Sequence, residues 1–123
     1  MIGIIGQGFV GNAIYQKFKT YFKVYTYDLD ETKSNSTKEQ VMSEDIVFVC
    51  LPTPMDKDGS AYTGIVEEAI KDISEYGKTK IAVIKSTVPP GTTEKLNNLY
   101  PNLSVVFNPE FLTERNAVQD FEN

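Results

Sequence analysis

Apolar residues fall in short runs, Ile2–Ile5, Val24–Tyr27, Ile46–Leu51, Ile81–Ile84 and Val105–Phe107, separated by longer mixed stretches. The runs are nearly continuous rather than alternating, as strands covered on both faces require. Between them the spacing changes to threes and fours. Val10, Ala13, Ile14 and Phe18 share one helical face, as do Val66, Ala69, Ile70 and Ile73, with Thr63 as a cap and Gly77 as a stop. The predicted order is β-α-β-(short α)-β-α-β-α-β, with a last helix after Thr113. Such alternation implies right-handed crossovers and an α/β architecture, a doubly wound parallel sheet of about five to six strands. The expected strand order is 3-2-1-4-5. The stretch Leu29–Lys38, with Ser34-Asn35-Ser36-Thr37, has few apolar anchors and is expected to be a mobile surface loop.

The length of 123 residues gives a single domain, 1–123. With 41% apolar and 24% charged residues, a packed core is expected and disorder is not. Twelve basic residues against 17 acidic ones give a net charge of −5, which argues against nucleic acid and anionic membranes as partners. The opening residues carry no basic region and reach glycine too soon for a signal or spanning helix, so a cytoplasmic address is expected. One cysteine, Cys50, and no histidine remove disulfides, Cys/His metal sites and imidazole chemistry. Hydroxyls, carboxylates, lysines and backbone amides are left to act, with no metal expected.

Function in such sheets collects beyond the carboxyl ends of the strands. Gly6-Gln7-Gly8-Phe9-Val10-Gly11 is a G-x-G-x-x-G placed after the first strand and opening the first helix. The glycines allow a tight turn, close approach of a pyrophosphate and close helix–strand packing, and the helix aims its N–H groups at the phosphates. The second strand ends at Asp28, 17 residues after Gly11. Asp28 either bonds a ribose diol or starts a turn; no arginine follows it closely to receive a 2′-phosphate, which favours NAD over NADP. Lys33 is either a cofactor contact or a solvated loop lysine.

The third strand runs into Pro52-Thr53-Pro54, which either presents Thr53 at the carboxyl edge or forms a rigid turn. After the fourth comes Ser86-Thr87-Val88-Pro89-Pro90-Gly91-Thr92-Thr93, an extended loop that presents Ser86 and Thr87 before Thr92 or Thr93 caps the next helix. The fifth leads to Asn108-Pro109-Glu110-Phe111-Leu112-Thr113-Glu114. Glu110 and Glu114 share a face if this turn is helical, and are ordinary surface acids if it is not. Cys50 lies in an apolar run with no lysine nearby in sequence, and is expected to be an inert core thiol.

These four motifs, in this order, resemble the N-terminal, Rossmann-like NAD-binding domain of the UDP-glucose/GDP-mannose 6-dehydrogenases. The resemblance covers nearly the whole chain and implies a four-electron oxidation of a nucleotide-sugar C6 alcohol to a carboxylate through a thioester-type intermediate, with NAD as cofactor. It assigns the pyrophosphate to Gly6, Gly8, Val10 and Gly11, with Phe9 in the same cofactor-binding turn, and the adenosine ribose to Asp28. Thr53 falls near the nicotinamide half. Thr87 falls beside the nicotinamide, helping to position water, and Glu114 between cofactor and reaction centre as an acid–base or water-orienting group. Glu110, Phe111 and Leu112 face the sugar nucleotide.

The chain departs from the family pattern in three ways. Thr113 and Arg115 stand where the family usually has Arg and Gly, and the segment between Asp28 and Ile46 is shorter than in full-length members. The family's catalytic cysteine, lysine, asparagine and aspartate lie downstream of the last motif, so the chain is expected to be incomplete for catalysis alone, with a missing segment or second chain as partner. Homo-oligomerisation is left open. The alternative is a non-catalytic dinucleotide or sugar-nucleotide binding module that acts by sensing or association.

Overall fold

Each apolar run forms a strand: β1 Ile2–Ile5, β2 Val24–Tyr27, β3 Ile46–Val49, β4 Ile81–Ile84 and β5 Ser104–Phe107. The computed structural model describes residues 1–53 and 63–108. Within them the five strands form one parallel sheet in the order β2-β1-β3-β4-β5, with β1 paired to both β2 and β3.

This corrects the expected order 3-2-1-4-5: β3 lies beside β1, not beyond β2. Two features explain it. The sequence of β3, Ile-Val-Phe-Val, carries no polar side chain, whereas β2, Val-Tyr-Thr-Tyr, carries hydroxyls that suit an edge. The crossover between them is also short, a 3₁₀ turn Glu31–Lys33 followed by α2 (Lys38–Val41). Val41 and the adjoining Met42 are buried with Val47 and Val49, so α2 lies across the sheet. It approaches β1 so closely that a methyl on Gly3 would lie 2.4 Å from the Val41 carbonyl oxygen.

Two cores form, one on each face of the sheet. Helix α1 (Phe9–Phe18) buries Ile14 against Ile2, Ile4 and Val24. On the opposite face, α3 (Gly64–Tyr76) buries Val66, Ala69, Ile70 and Ile73 against Val47, Val49 and Ile84. The spacing predicted both buried faces. Gly77 ends α3 with φ 70°, a left-handed conformation that suits glycine. Thr63 stands at the N-cap of α3, but its hydroxyl donates to the Glu67 carboxylate at 2.7 Å instead of capping the backbone. Helix α4 (Thr92–Leu99) is capped by Gly91 at φ 90° and not by Thr92 or Thr93. The Thr92 N–H bonds back to the Pro89 carbonyl at 3.2 Å, which closes a turn with the glycine inside it.

The Leu29–Lys38 stretch is mostly exposed, as expected, but it is bonded to the strand before it. Asp30 caps the 3₁₀ turn by accepting from the Thr32 hydroxyl and N–H, bonds that hold its carboxyl below the usual range. Ser34 Oγ accepts from the Asp28 N–H at 2.8 Å and donates to the Asp28 carbonyl at 3.0 Å. Asn35 lies along the outer side of β2: its carboxamide accepts from the Thr26 N–H at 2.8 Å and donates to the Val24 carbonyl at 3.1 Å. Asn97 does the same for β5, accepting from the Val105 N–H at 2.9 Å and donating to the Val105 carbonyl at 2.8 Å. The helix predicted after Thr113 lies outside the described residues.

Candidate functional site

The parallel ladders continue one residue past four of the strands. Gly6 N–H bonds the Tyr27 carbonyl at 2.8 Å, Cys50 N–H the Ile5 carbonyl at 2.8 Å, Lys85 N–H the Val49 carbonyl at 2.9 Å and Asn108 N–H the Ile84 carbonyl at 3.0 Å. These bonds fix where each following loop begins. The crossover after β1 leads to one side of the sheet and the crossover after β3 to the other, so the switch point lies between them. A crevice of about 790 Å³ opens there, within the range of small-molecule and cofactor sites. Gly6, Gly8, Val10 and Gly11 line it from β1, Tyr27, Asp28, Leu29 and Lys33 from β2, Leu51, Pro52 and Thr53 from β3, and Lys85, Ser86 and Thr87 from β4.

The glycine turn is shaped by close approach. Gly6 has φ 93°, and a methyl on it would lie 2.3 Å from the Cys50 carbonyl oxygen. A methyl on Gly11 would lie 2.0 Å from the Gly6 carbonyl oxygen, so helix α1 can pack onto this turn only with glycine there. Gly8 is different: among the described residues, its chain neighbours aside, a methyl there would meet no atom within 4 Å. The space over Gly8 belongs to the crevice. Gly8 is also the N-cap of α1, with no side-chain cap and no acid in the first turn. Among the described residues the N-terminus of the helix therefore has no side-chain cap, an arrangement suited to an anion.

Asp28 stands at the end of β2, half-buried beside this turn. Its Oδ2 accepts from the Gln7 N–H at 2.8 Å and its Oδ1 from the Asp30 N–H at 2.8 Å. A carboxylate has about four acceptor positions. Two of them remain for a diol, so Asp28 can serve the turn and a ligand together.

Beyond β4, Ser86 and Thr87 divide the work. Ser86 is buried, accepting from the Leu51 N–H at 2.9 Å and donating to the Leu51 carbonyl at 2.6 Å, which pins the loop after β3 to the loop after β4. Thr87 is exposed on the crevice wall, and Thr53 faces the same space from β3. The sequence expectation for Cys50 needs one correction: a lysine, Lys85, is near it in space. Its charge offsets only part of the effect of burial, which pushes the Cys50 thiol up to about 12. The expected core placement is also corrected: Cys50 is only partly buried and borders the crevice, so the inert reading rests on the thiol keeping its proton at physiological pH.

Several lining residues were not picked out in the sequence. Lys85 is 4% exposed and borders the crevice; its signal was a lysine directly after an all-apolar strand. Ile65, Glu68 and Asp72 line the crevice from α3, together with Ala69 of the predicted core face, and Lys38 lines it from α2. The i, i+3, i+7 spacing of Ile65, Glu68 and Asp72 marks a second face of α3 beside the core face. Lys38 Nζ meets Asp72 Oδ2 at 2.9 Å, a bond that raises the lysine's pKa. The side chain of Phe9, and all of Pro54, Glu110, Phe111, Leu112, Thr113, Glu114 and Arg115, lie outside the described residues. No helix among the described residues is long and apolar enough to cross a membrane.

Residues 29–123 match the model of the UDP-glucose/GDP-mannose dehydrogenase family, NAD binding domain. The putative UDP-glucose 6-dehydrogenase YtcA of Bacillus subtilis is 38% identical over 95 residues, covering 71% of this chain and 22% of that protein. The UDP-glucose 6-dehydrogenase of Rickettsia bellii is 36% identical over 107 residues, covering 80% of this chain and 25% of that protein. Among solved structures, a UDP-glucose dehydrogenase from the hyperthermophilic archaeon Pyrobaculum islandicum aligns with a TM-score of 0.81 and 26% identity over 98% of this chain and 38% of its own. The chain thus spans about a quarter or less of the length of these curated relatives.

Proposed function

The chain belongs to the UDP-glucose/GDP-mannose dehydrogenase family, as its NAD-binding domain, and from that premise we propose that it supplies the cofactor-binding part of a nucleotide-sugar 6-dehydrogenase. The reaction would oxidise UDP-glucose or a similar sugar nucleotide at C6 to the uronate. The observation that carries this reading is the convergence of the glycine turn, Asp28 and Thr87 on one crevice at the switch point of the sheet.

The residues present fit NAD. The open space over Gly8 and the uncapped amides of α1 would hold the diphosphate, and Asp28 the adenosine ribose. Lys33 lines the same crevice and would add a positive charge to the cofactor site. When bound, NAD supplies the hydride acceptor. On the β3 and β4 side, Thr53 would meet the nicotinamide half, and Thr87 would orient the carboxamide end and a water. Ser86 keeps these two loops at a constant separation by holding both backbone groups of Leu51. Glu110, Phe111 and Leu112 toward the sugar nucleotide, and Glu114 as an acid–base group, complete the proposal on the strength of the resemblance.

Cys50 has no nucleophilic part in this scheme, because its thiol holds its proton well above neutral pH. Thioester chemistry would need a thiol supplied from another segment or chain. Titration calorimetry with NAD tests the binding claim: a saturable heat is expected, and its absence at millimolar NAD, without any thermal shift of the folded protein, overturns it. NADH formation from UDP-glucose by these 123 residues alone would overturn the assignment as a cofactor-binding part only.

A further inference from the structure

Past Asp28, the crevice continues between the loop after β2 and one face of α3. The two walls differ from ordinary protein surface. Leu29 is 91% exposed and Ile65 is 37% exposed, and both border the crevice. Exposed aliphatic side chains brought to one crevice by two different elements, the loop after β2 and α3, suit an apolar ring. Below Ile65 on the same helical face stand two acids, Glu68 and Asp72. They are not equivalent. Asp72 is paired, its Oδ2 bonded to Lys38 Nζ at 2.9 Å. Glu68 is exposed on the crevice wall and accepts no hydrogen bond from any described residue.

We infer that Glu68 reads the base of the dinucleotide, selecting a purine that presents an amino group at its outer edge over one that presents a carbonyl there. The inference rests on the NAD-binding assignment and deepens it. An ionised carboxylate only accepts hydrogen bonds. Adenine offers it a donor at the 6-position, the amino group, whereas hypoxanthine places its carbonyl oxygen there and carries its edge donor on N1 instead, so a carboxylate set against the 6-substituent loses its bond and meets a lone pair. The Lys38–Asp72 pair contributes by neutralising the second acid, which leaves Glu68 as the carboxylate of the α3 wall that pairs with no described residue. It also ties α2 to α3 across the slot, so the wall that carries Glu68 is held at a set distance from β2.

The test compares NAD with nicotinamide hypoxanthine dinucleotide, which differ only at that edge, by titration calorimetry on the full chain. The wild type is expected to favour NAD by about tenfold or more, the range of one hydrogen bond to a charged group. Glu68→Gln, an exposed helical position that should not disturb folding, offers both a donor and an acceptor and is expected to bring the two affinities close together. Asp28→Asn is expected to weaken both dinucleotides alike and to keep their ratio. Equal affinities in the wild type, or a ratio that Glu68→Gln leaves unchanged, would overturn the inference while the NAD assignment stands. Failure of both dinucleotides to bind would overturn the NAD assignment, and the reading of the base with it.

Discussion

The backbone N–H of Gln7 donates to Asp28 Oδ2 over 2.8 Å. The carboxylate proposed to meet the ribose therefore also holds the turn proposed to meet the diphosphate, and the two halves of the fingerprint are joined before any ligand arrives. Asp28→Ala is expected to weaken NAD by about 1–3 kcal/mol, the scale of hydrogen bonds to a charged group, measured by calorimetry. An unchanged affinity would remove Asp28 from the site.

Gly6 and Gly8 should separate folding from binding. Gly6→Ala forces a methyl against the Cys50 carbonyl oxygen and a left-handed φ on alanine, so a loss of about 2–4 kcal/mol in urea denaturation is expected. Gly8→Ala meets only open space. Its stability should stay within about 1 kcal/mol of wild type while NAD affinity falls. Equal losses of stability in the two variants would contradict the placement of Gly8 on the crevice.

The Cys50 thiol should be silent toward a thiol reagent near neutral pH in the folded protein and react once urea unfolds it. Its raised pKa also sets a pH dependence. Above 9.0 the unfolded chain releases a proton that the folded chain keeps until about 12. The resulting stability is complete below pH 9.0 and declines as pH climbs toward 12. The urea midpoint of wild type, referenced to Cys50→Ala, should fall across that window.

Glu67 behaves in the opposite sense. Its bonds to Lys95 Nζ and the Thr63 hydroxyl, both 2.7 Å, hold its carboxyl below the ordinary 4.5. A depressed carboxylate contributes above its unfolded pKa and loses that contribution as pH falls through the folded one. Glu67→Gln should therefore lower the urea midpoint slightly at neutral pH, with the difference fading below pH 4.5. A difference that persists in acid would assign the effect to packing.

The strands were legible because each is a run too apolar to be anything but covered, and three of the five, β1, β2 and β4, occupy the predicted residues. Their lateral order was not legible. It depends on whether the β2–β3 crossover passes over β1, and that is decided by Val41 meeting Gly3 across 38 residues of chain. The glycine turn and Asp28 could be read because their chemistry is local and their spacing strict. Lys85 and Glu68 could not: one looks like a polar strand end and the other like an ordinary solvated helix position. Only the packing of β4 beside β3, and of α3 beside the crevice, gives them neighbours. The polar composition of Leu29–Lys38 was equally uninformative, because its anchors are backbone N–H groups that donate to the side chains of Asp30, Ser34 and Asn35.

Asn35 and Asn97 give the two outer strands something that their own sequences lack. A bare outer strand offers a row of unsatisfied amides and carbonyls to any passing chain, the usual route to edge-to-edge aggregation. Here a carboxamide imitates the missing peptide on each side, at Thr26 and Val24 on one flank and at Val105 on the other. A foreign strand must evict a side chain that is already bonded twice. Two asparagines, one in the loop after β2 and one within α4, thereby guard both flanks of the sheet against edge-to-edge association.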